Sequence, residues 1–186
     1  MTRPDGQDLR ALERQARHHG SGLADPAPGC GSDGSPHPLT GTWRLEQLWS
    51  AKGDQPIPLT AAILRGFGAC LEVGERAEDG RFPLRNGVNL GCLSMDFRGH
   101  AVLVGRRPLL VFNFDQLSLS VAGRLLWQRS LPGGQETLSL VGSRRQPFFA
   151  LIGCDRAEGW LAARGRGGGL ALWGLNTETP LPAEQA

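Results

Sequence analysis

Between residues 69 and 175, turn-forming residues return so often that every run between them is strand-sized. No run leaves room for the crossover helix that a parallel sheet requires, so the sheet is expected to be antiparallel. The turns fall at Asp79-Gly80, Arg98-Gly99, Arg106-Arg107, Gly123, Pro132-Gly133-Gly134 and a glycine cluster that begins at Gly165. They predict strands over 70–75, 88–97, 100–105, 108–115, 117–122, 124–131, 136–141, 148–155, 160–164 and 169–174. With a first strand over 42–49 this makes about eleven, the meander of an up-and-down barrel or a sandwich. The 27 glycines and 13 prolines among 186 residues agree with so many turns. Alternation is plainest where Leu117, Leu119 and Val121 interleave with Ser118 and Ser120. The runs 109–112 and 148–152 are apolar on both faces, so each needs something over its outer side.

The stretch WLAARGRGGGLALWGL, residues 160–175, is a hairpin whose turn is too rich in glycine for a helix. A last strand that closes a sheet must meet the first, where Trp43, Leu45 and Trp49 fall on one face and Arg44 and Glu46 on the other. Gln47 interrupts the apolar face. We expect Arg164 to fasten the closure by laying its guanidinium over Trp43. Gly41, Trp43, Arg164 and Gly165 are therefore the residues expected to close the structure.

The ends carry less information. Residues 8–19 form a weak helix capped by Asp8, with Leu9, Leu12 and Ala16 on one side, Glu13 reaching Arg17, and Gly20 as its stop. Its apolar stripe is thin, so it docks, touches a membrane or frays, and fraying is the expectation. Residues 21–38 are nearly all Gly, Pro, Ser, Ala and Asp and read as a linker. The domain organisation is thus a flexible tail over 1–38, a folded domain over 39–176 and a short tail over 177–186. Residues 58–67, opened by Pro58, predict a short helix plugging one end of the barrel.

A net charge of +2 with interspersed signs gives no electrostatic case for nucleic acid. The segment from Arg164 to Gly169 reads as a turn, not as an arginine-glycine binding tract, and lacks the features of a phosphate cradle. The cysteines at 30, 70, 92 and 154 form no CxxC pair and read as reduced, buried thiols. No run is long and apolar enough to cross a bilayer as a helix, and no secretory core opens the chain. A cytoplasmic protein, or one peripheral to a membrane, is expected.

Three pieces together carry a resemblance: Leu39-Thr40-Gly41-Thr42-Trp43, the run FRGHAVLVGRRPLLVFNF over 97–114, and Arg164-Gly165 with its glycine turn followed by Leu170-Ala171-Leu172-Trp173. They resemble the plastid lipid-associated protein family, the fibrillins of chloroplasts and cyanobacteria, over about residues 39–175. The resemblance implies a lipocalin-like barrel that binds a lipid, an isoprenoid quinone or a carotenoid, and association with thylakoids. A tyrosine and an acid usually stand before the terminal arginine of that family. Here Trp160 is offered in the tyrosine's place, and the nearest acids are Asp155 and Glu158.

A barrel that encloses one apolar ligand needs an aromatic and aliphatic lining, and the candidates are Trp43, Leu45, Trp49, Phe112, Phe114, Trp127, Phe149 and Trp160. For catalysis the available parts are His100, Asp96, Asp115, Cys92 and Cys154, which form no local motif, so no catalytic residue is assigned. His18, His19 and His37 lie in the tail and no metal or cofactor is expected. The function read from the sequence is non-enzymatic carriage of an apolar small molecule, with peripheral membrane contact. The alternatives are an interaction barrel without a ligand, or an enzyme that attaches bilin chromophores.

Overall fold

A computed structural model describes residues 3–19, 36–51, 57, 69–105, 108–132 and 146–176. They form one helix, α1 (Gly6–His19), and nine strands: β1 (Gly41–Trp49), β2 (Cys70–Val73), β3 (Phe82–Leu90), β4 (Leu93–Val104), β5 (Leu109–Val121), β6 (Arg124–Ser130), β7 (Phe148–Asp155), β8 (Trp160–Gly165) and β9 (Leu170–Leu175). Every pairing is antiparallel. The sheet closes in a ring through β1, β2, β3, β4, β5, β7, β8 and β9, and β9 returns to β1 from Trp43↔Leu175 to Trp49↔Leu170. The first and last strands therefore meet edge to edge, as the hairpin predicts.

β5 belongs to two structures. One of its edges runs along β4 throughout; the other is divided between β7, at Leu109 to Val111, and β6, at Gln116 to Val121. The change of partner coincides with a bulge in which Asp115 is the extra residue, since Arg98 pairs with Gln116 and Gly99 with Phe114. The Leu131 amide donates to the Asp115 carbonyl at 2.7 Å, tying the end of β6 to that point. Beyond it, β6 and the adjoining ends of β3, β4 and β5 leave the ring as a flap.

Gly99 marks this bulge, not the turn that its sequence suggests. A methyl group on it would overlap the Asn113 carbonyl oxygen, so the close approach of β5 requires glycine there. The actual turn lies at Gly91-Cys92, and the expected strand over 88–97 straddles it. The expected breaks near residues 99 and 116 are continuous strand, so fewer and longer strands form. The predicted strand over 136–141, the plugging helix over 58–67, the linker over 21–35, the turn at Arg106-Arg107 and the tail over 177–186 lie outside the described residues.

Bulges also decide which face each aromatic residue takes. Trp43 and Leu45 point into the ring with Leu71, Val73, Phe82, Leu84, Phe112 and Leu161. The register then shifts between Leu45 and Gln47, and Trp49 emerges on the outer face with Leu9, Ile152, Ala162, Leu170 and Leu172. Gln47 interrupts the pattern because the strand changes face beside it. A second shift, between Leu151 and Gly153, divides β7 in the same way.

The outer cluster is covered by α1. Asp5 caps it, one turn earlier than Asp8, by accepting from the amides of Gln7 and Asp8 at 2.8 and 2.9 Å. Leu9 is fully buried, and Gly6 lies so close to Trp49 that a Cβ would stand 2.7 Å from the indole nitrogen. The helix docks where fraying was expected, because an ion pair supplements its thin stripe. Glu13 accepts from Arg164 at 2.8 and 2.6 Å and from Arg17 at 2.7 Å.

Arg164 is thus committed to the outer face and also donates to the Gly168 carbonyl. It does not lie over Trp43, whose indole is inside and donates to the Leu39 carbonyl at 2.7 Å. The end of the ring beside Trp43 is secured by Arg156, which donates to the Thr40 carbonyl.

Two outcomes follow from this packing. Replacing Gly99 with Ala should cost on the order of 3 kcal/mol in denaturant unfolding, because backbone and not a flexible side chain would have to move. Burial raises the Glu13 carboxyl, but the hydrogen bonds and charges of Arg164 and Arg17 outweigh it and lower it from 4.5 to about 2. A carboxyl held low in the folded state stabilises above its unfolded value and loses that contribution as pH falls. Normalised amide-exchange protection of α1 should therefore decline between pH 4.5 and about 2, and Glu13→Gln should remove that pH dependence.

Candidate functional site

The inner cluster fills only one end of the ring. Toward the other end, where β1 ends and β2 begins, a cavity of about 350 Å³ remains. Leu45 and Leu48 of β1, Leu71 of β2, Val88 of β3, Phe149 of β7 and Trp173 of β9 form most of its wall. Asn86 enters it because it shares the inward side of β3 with Phe82, Leu84 and Val88. Ala171, Gly165 and Gly169 leave the space that larger side chains would take. Five rings line up across the interior, Phe97, Phe114, Phe112, Phe149 and Trp173, with successive centroids 5.4, 5.5, 5.0 and 5.5 Å apart. Such tilted and edge contacts suit the ring quadrupoles and hold the wall rigid.

Among the described residues, none that lines the cavity is charged. A charged molecule entering this space would lose its hydration without an ion partner, which strongly disfavours it. Among the described residues the polar groups available to it are the Asn86 amide and nearby backbone, because Cys70 alternates with the inward Leu71 and turns its thiol outward beside Gly87. Charge is instead gathered on the outer side of the same wall. There Arg85 bridges Glu72 at 3.0 Å and Asp96 at 2.7 Å, joining β2, β3 and β4. Burial lowers the Arg85 pKa, but the two carboxylates more than reverse this and the net shift is upward.

Of the expected lining residues, Leu45 and Phe149 meet at the cavity. Trp43, Phe112 and Phe114 belong to the inner cluster without reaching it. Trp49 and Trp160 lie on the outer face beneath α1, and Trp127 stands exposed on β6. Ala171 and Trp173, the largest ring on the cavity, were legible only as parts of the resemblance motif; Leu48, Leu71, Asn86 and Val88 gave no signal of their own. Gly165 and Gly169 border the cavity, so the glycine turn that closes the hairpin also keeps its rim open. Asp155 accepts from the Glu158 amide at 3.0 Å within the turn before β8. A second, smaller space of about 200 Å³ lies between α1 and β7, with Glu13, Arg17 and Arg164 at its edge.

The titratable candidates are dispersed. His100 faces Asp115 at 3.4 Å beside the bulge, and Asp96 is engaged by Arg85. The Cys154 thiol donates to the Pro38 carbonyl, and burial pushes it up to about 12, outweighing the opposing charge of Arg156. Burial likewise raises Cys70, with Glu72 adding to it. Cys92 is exposed at the β3–β4 turn, contrary to the reading of all the cysteines as buried. His37 packs its ring edge-on to Phe82 at 4.9 Å. Among the described residues no three His, Cys, Asp or Glu side chains gather as metal ligands, and no helix is long and apolar enough to cross a membrane.

No model of a known protein family matches this chain, and neither a curated protein nor a solved structure similar to it was found.

Thiol chemistry offers a direct check on the placement of these side chains. Alkylation of the native protein near pH 8, followed by mass spectrometry, should modify Cys92 well before Cys70 or Cys154, because the thiolate is the reactive form. Denaturation should bring the three to similar rates.

Proposed function

We propose that this chain is a non-enzymatic, lipocalin-like β-barrel that binds one apolar molecule in its hollow end and carries it at photosynthetic membranes. The observation that supports this most is the uncharged cavity of about 350 Å³, walled by Leu, Val, Phe and Trp and given a single amide by Asn86. That size lies near the lower end of small-molecule sites. It suits a small apolar compound or one end of a longer one, such as the ring of an isoprenoid quinone whose carbonyl would accept from the Asn86 amide. The resemblance to the plastid lipid-associated proteins points to the same ligand classes: a lipid, a quinone or a carotenoid. The raised thiols at Cys70 and Cys154 make poor nucleophiles, and this weighs against the chromophore-attaching alternative.

The test is titration of the purified chain with a short-chain isoprenoid quinone, read by quenching of tryptophan emission, alongside solvent extraction to identify any lipid already held. Trp173→Phe should remove much of the quenching. Ala171→Phe, which fills the cavity from a buried position, should weaken binding about tenfold or more, equivalent to about 1.4 kcal/mol. Failure of quinone, carotenoid and extracted lipid alike to bind, or unchanged affinity in the filled variant, would refute the reading.

A further inference from the structure

We propose that the flap made by β6 and the adjoining ends of β3, β4 and β5 is a docking tip that seats in the headgroup region of an anionic lipid bilayer. The large apolar side chains most exposed among the described residues are Leu90, Leu125, Leu126 and Trp127, at 53, 57, 63 and 47%. All four stand on this one unit. The two turns at its end lie side by side, since the Ala122 amide donates to the Cys92 carbonyl at 2.7 Å and Leu93 pairs with Val121.

The flap is apolar on both faces, and this selects the partner. Trp127 pairs with Leu119, which pairs with Met95, and so faces the side continuous with the interior of the ring. A register shift between Leu119 and Ser120 then turns the strand, and Leu125 pairs with Ser120 on the opposite side. A protein groove would cover one such face and leave the other in water. A lipid interface receives both together, and tryptophan is the residue that favours its polar boundary.

Charge agrees with anionic lipid. From Asn86 to Met95 and from Gln116 to Pro132 there is no Asp or Glu, whereas Arg124 and Arg129 are both exposed. Among the described residues, the carboxylates nearest the base of the flap, Glu72, Asp96 and Asp115, face Arg85 or His100. An arginine collar above an apolar tip is attracted to the negative surface of a leaflet, an attraction that falls with salt.

The flap also rises from the open end of the cavity. Val88 lines the cavity and is opposite Met95 on the flap, and Phe97 begins the line of rings that ends at Trp173. Docking by the tip would turn the cavity mouth toward the bilayer. That last consequence rests on the proposed carrier function, whereas the docking surface itself does not.

The experiment is flotation of the full-length chain with vesicles of phosphatidylcholine alone or mixed with phosphatidylglycerol. A polarity-sensitive fluorophore on the exposed Cys92 of a Cys30→Ser variant serves as a second readout. The expected result is binding to the anionic vesicles that weakens about tenfold without phosphatidylglycerol or in high salt, with a blue shift of the fluorophore. Leu125→Asp with Leu126→Asp should abolish flotation while quinone quenching of tryptophan emission is retained. No flotation of the parent chain, unchanged flotation of the double variant, or no shift at Cys92 would each overturn the proposal. Concentration-dependent dimers that the double variant abolishes, without flotation, would assign the patch to a second copy of the chain. If flotation depends on the flap but quinone never binds, the docking surface stands and the carrier reading falls.

Discussion

The seam between β1 and β9 is the constraint on which the rest of the structure depends. Without it the same strands make an open sheet with two raw edges and an apolar face in water. With it the inner side chains of both ends of the domain, Trp43 and Leu45 on one strand and Ala171 and Trp173 on the other, become neighbours in a shared interior. The seam is made by backbone pairing, and its inward side chains keep it dry. Trp43 is fully buried and its indole nitrogen is satisfied by the Leu39 carbonyl, so a large ring is enclosed without stranding a polar group.

Once closed, the ring separates two chemistries. Inside, the described wall of the hollow end offers one side-chain amide and otherwise hydrocarbon and aromatic surface. Outside, ion pairs are placed where they bind elements together: Arg85 across three strands, and Arg164 to the helix through Glu13. The same residue types in reversed positions would give an interior selective for charged ligands and a wall without its lateral ties. The location of the arginines therefore says as much about the character of the interior as the lining does.

The sequence was most informative where one rule governed many residues. Close turn signals excluded helical crossovers, and the glycine-rich hairpin identified the closing strand. It was least informative wherever a bulge intervened. Alternation places Trp43, Leu45 and Trp49 together, yet the shift at Gln47 sends Trp49 outward beneath α1. Gly99 has the signature of a turn, and only the approach of β5 reveals that it is a mid-strand necessity. Arg164 was singled out correctly, but its partner, Glu13, lies at the other end of the chain and no local pattern could connect them. The cavity was hard to read for a related reason: small residues such as Ala171 and Gly165 define it by what they leave empty.

The pairing of β5 with both ring and flap has a consequence for how the chain assembles. β3, β4, β5 and β6 are successive in sequence and joined by short connections, so their contacts are local and inexpensive in loop entropy. The seam joins the opposite ends of the folded chain and is the slowest contact to find. A nascent molecule thus acquires its flap before it acquires an inside. During that interval its apolar inner face and both unpaired margins are open to other chains, the state most exposed to aggregation.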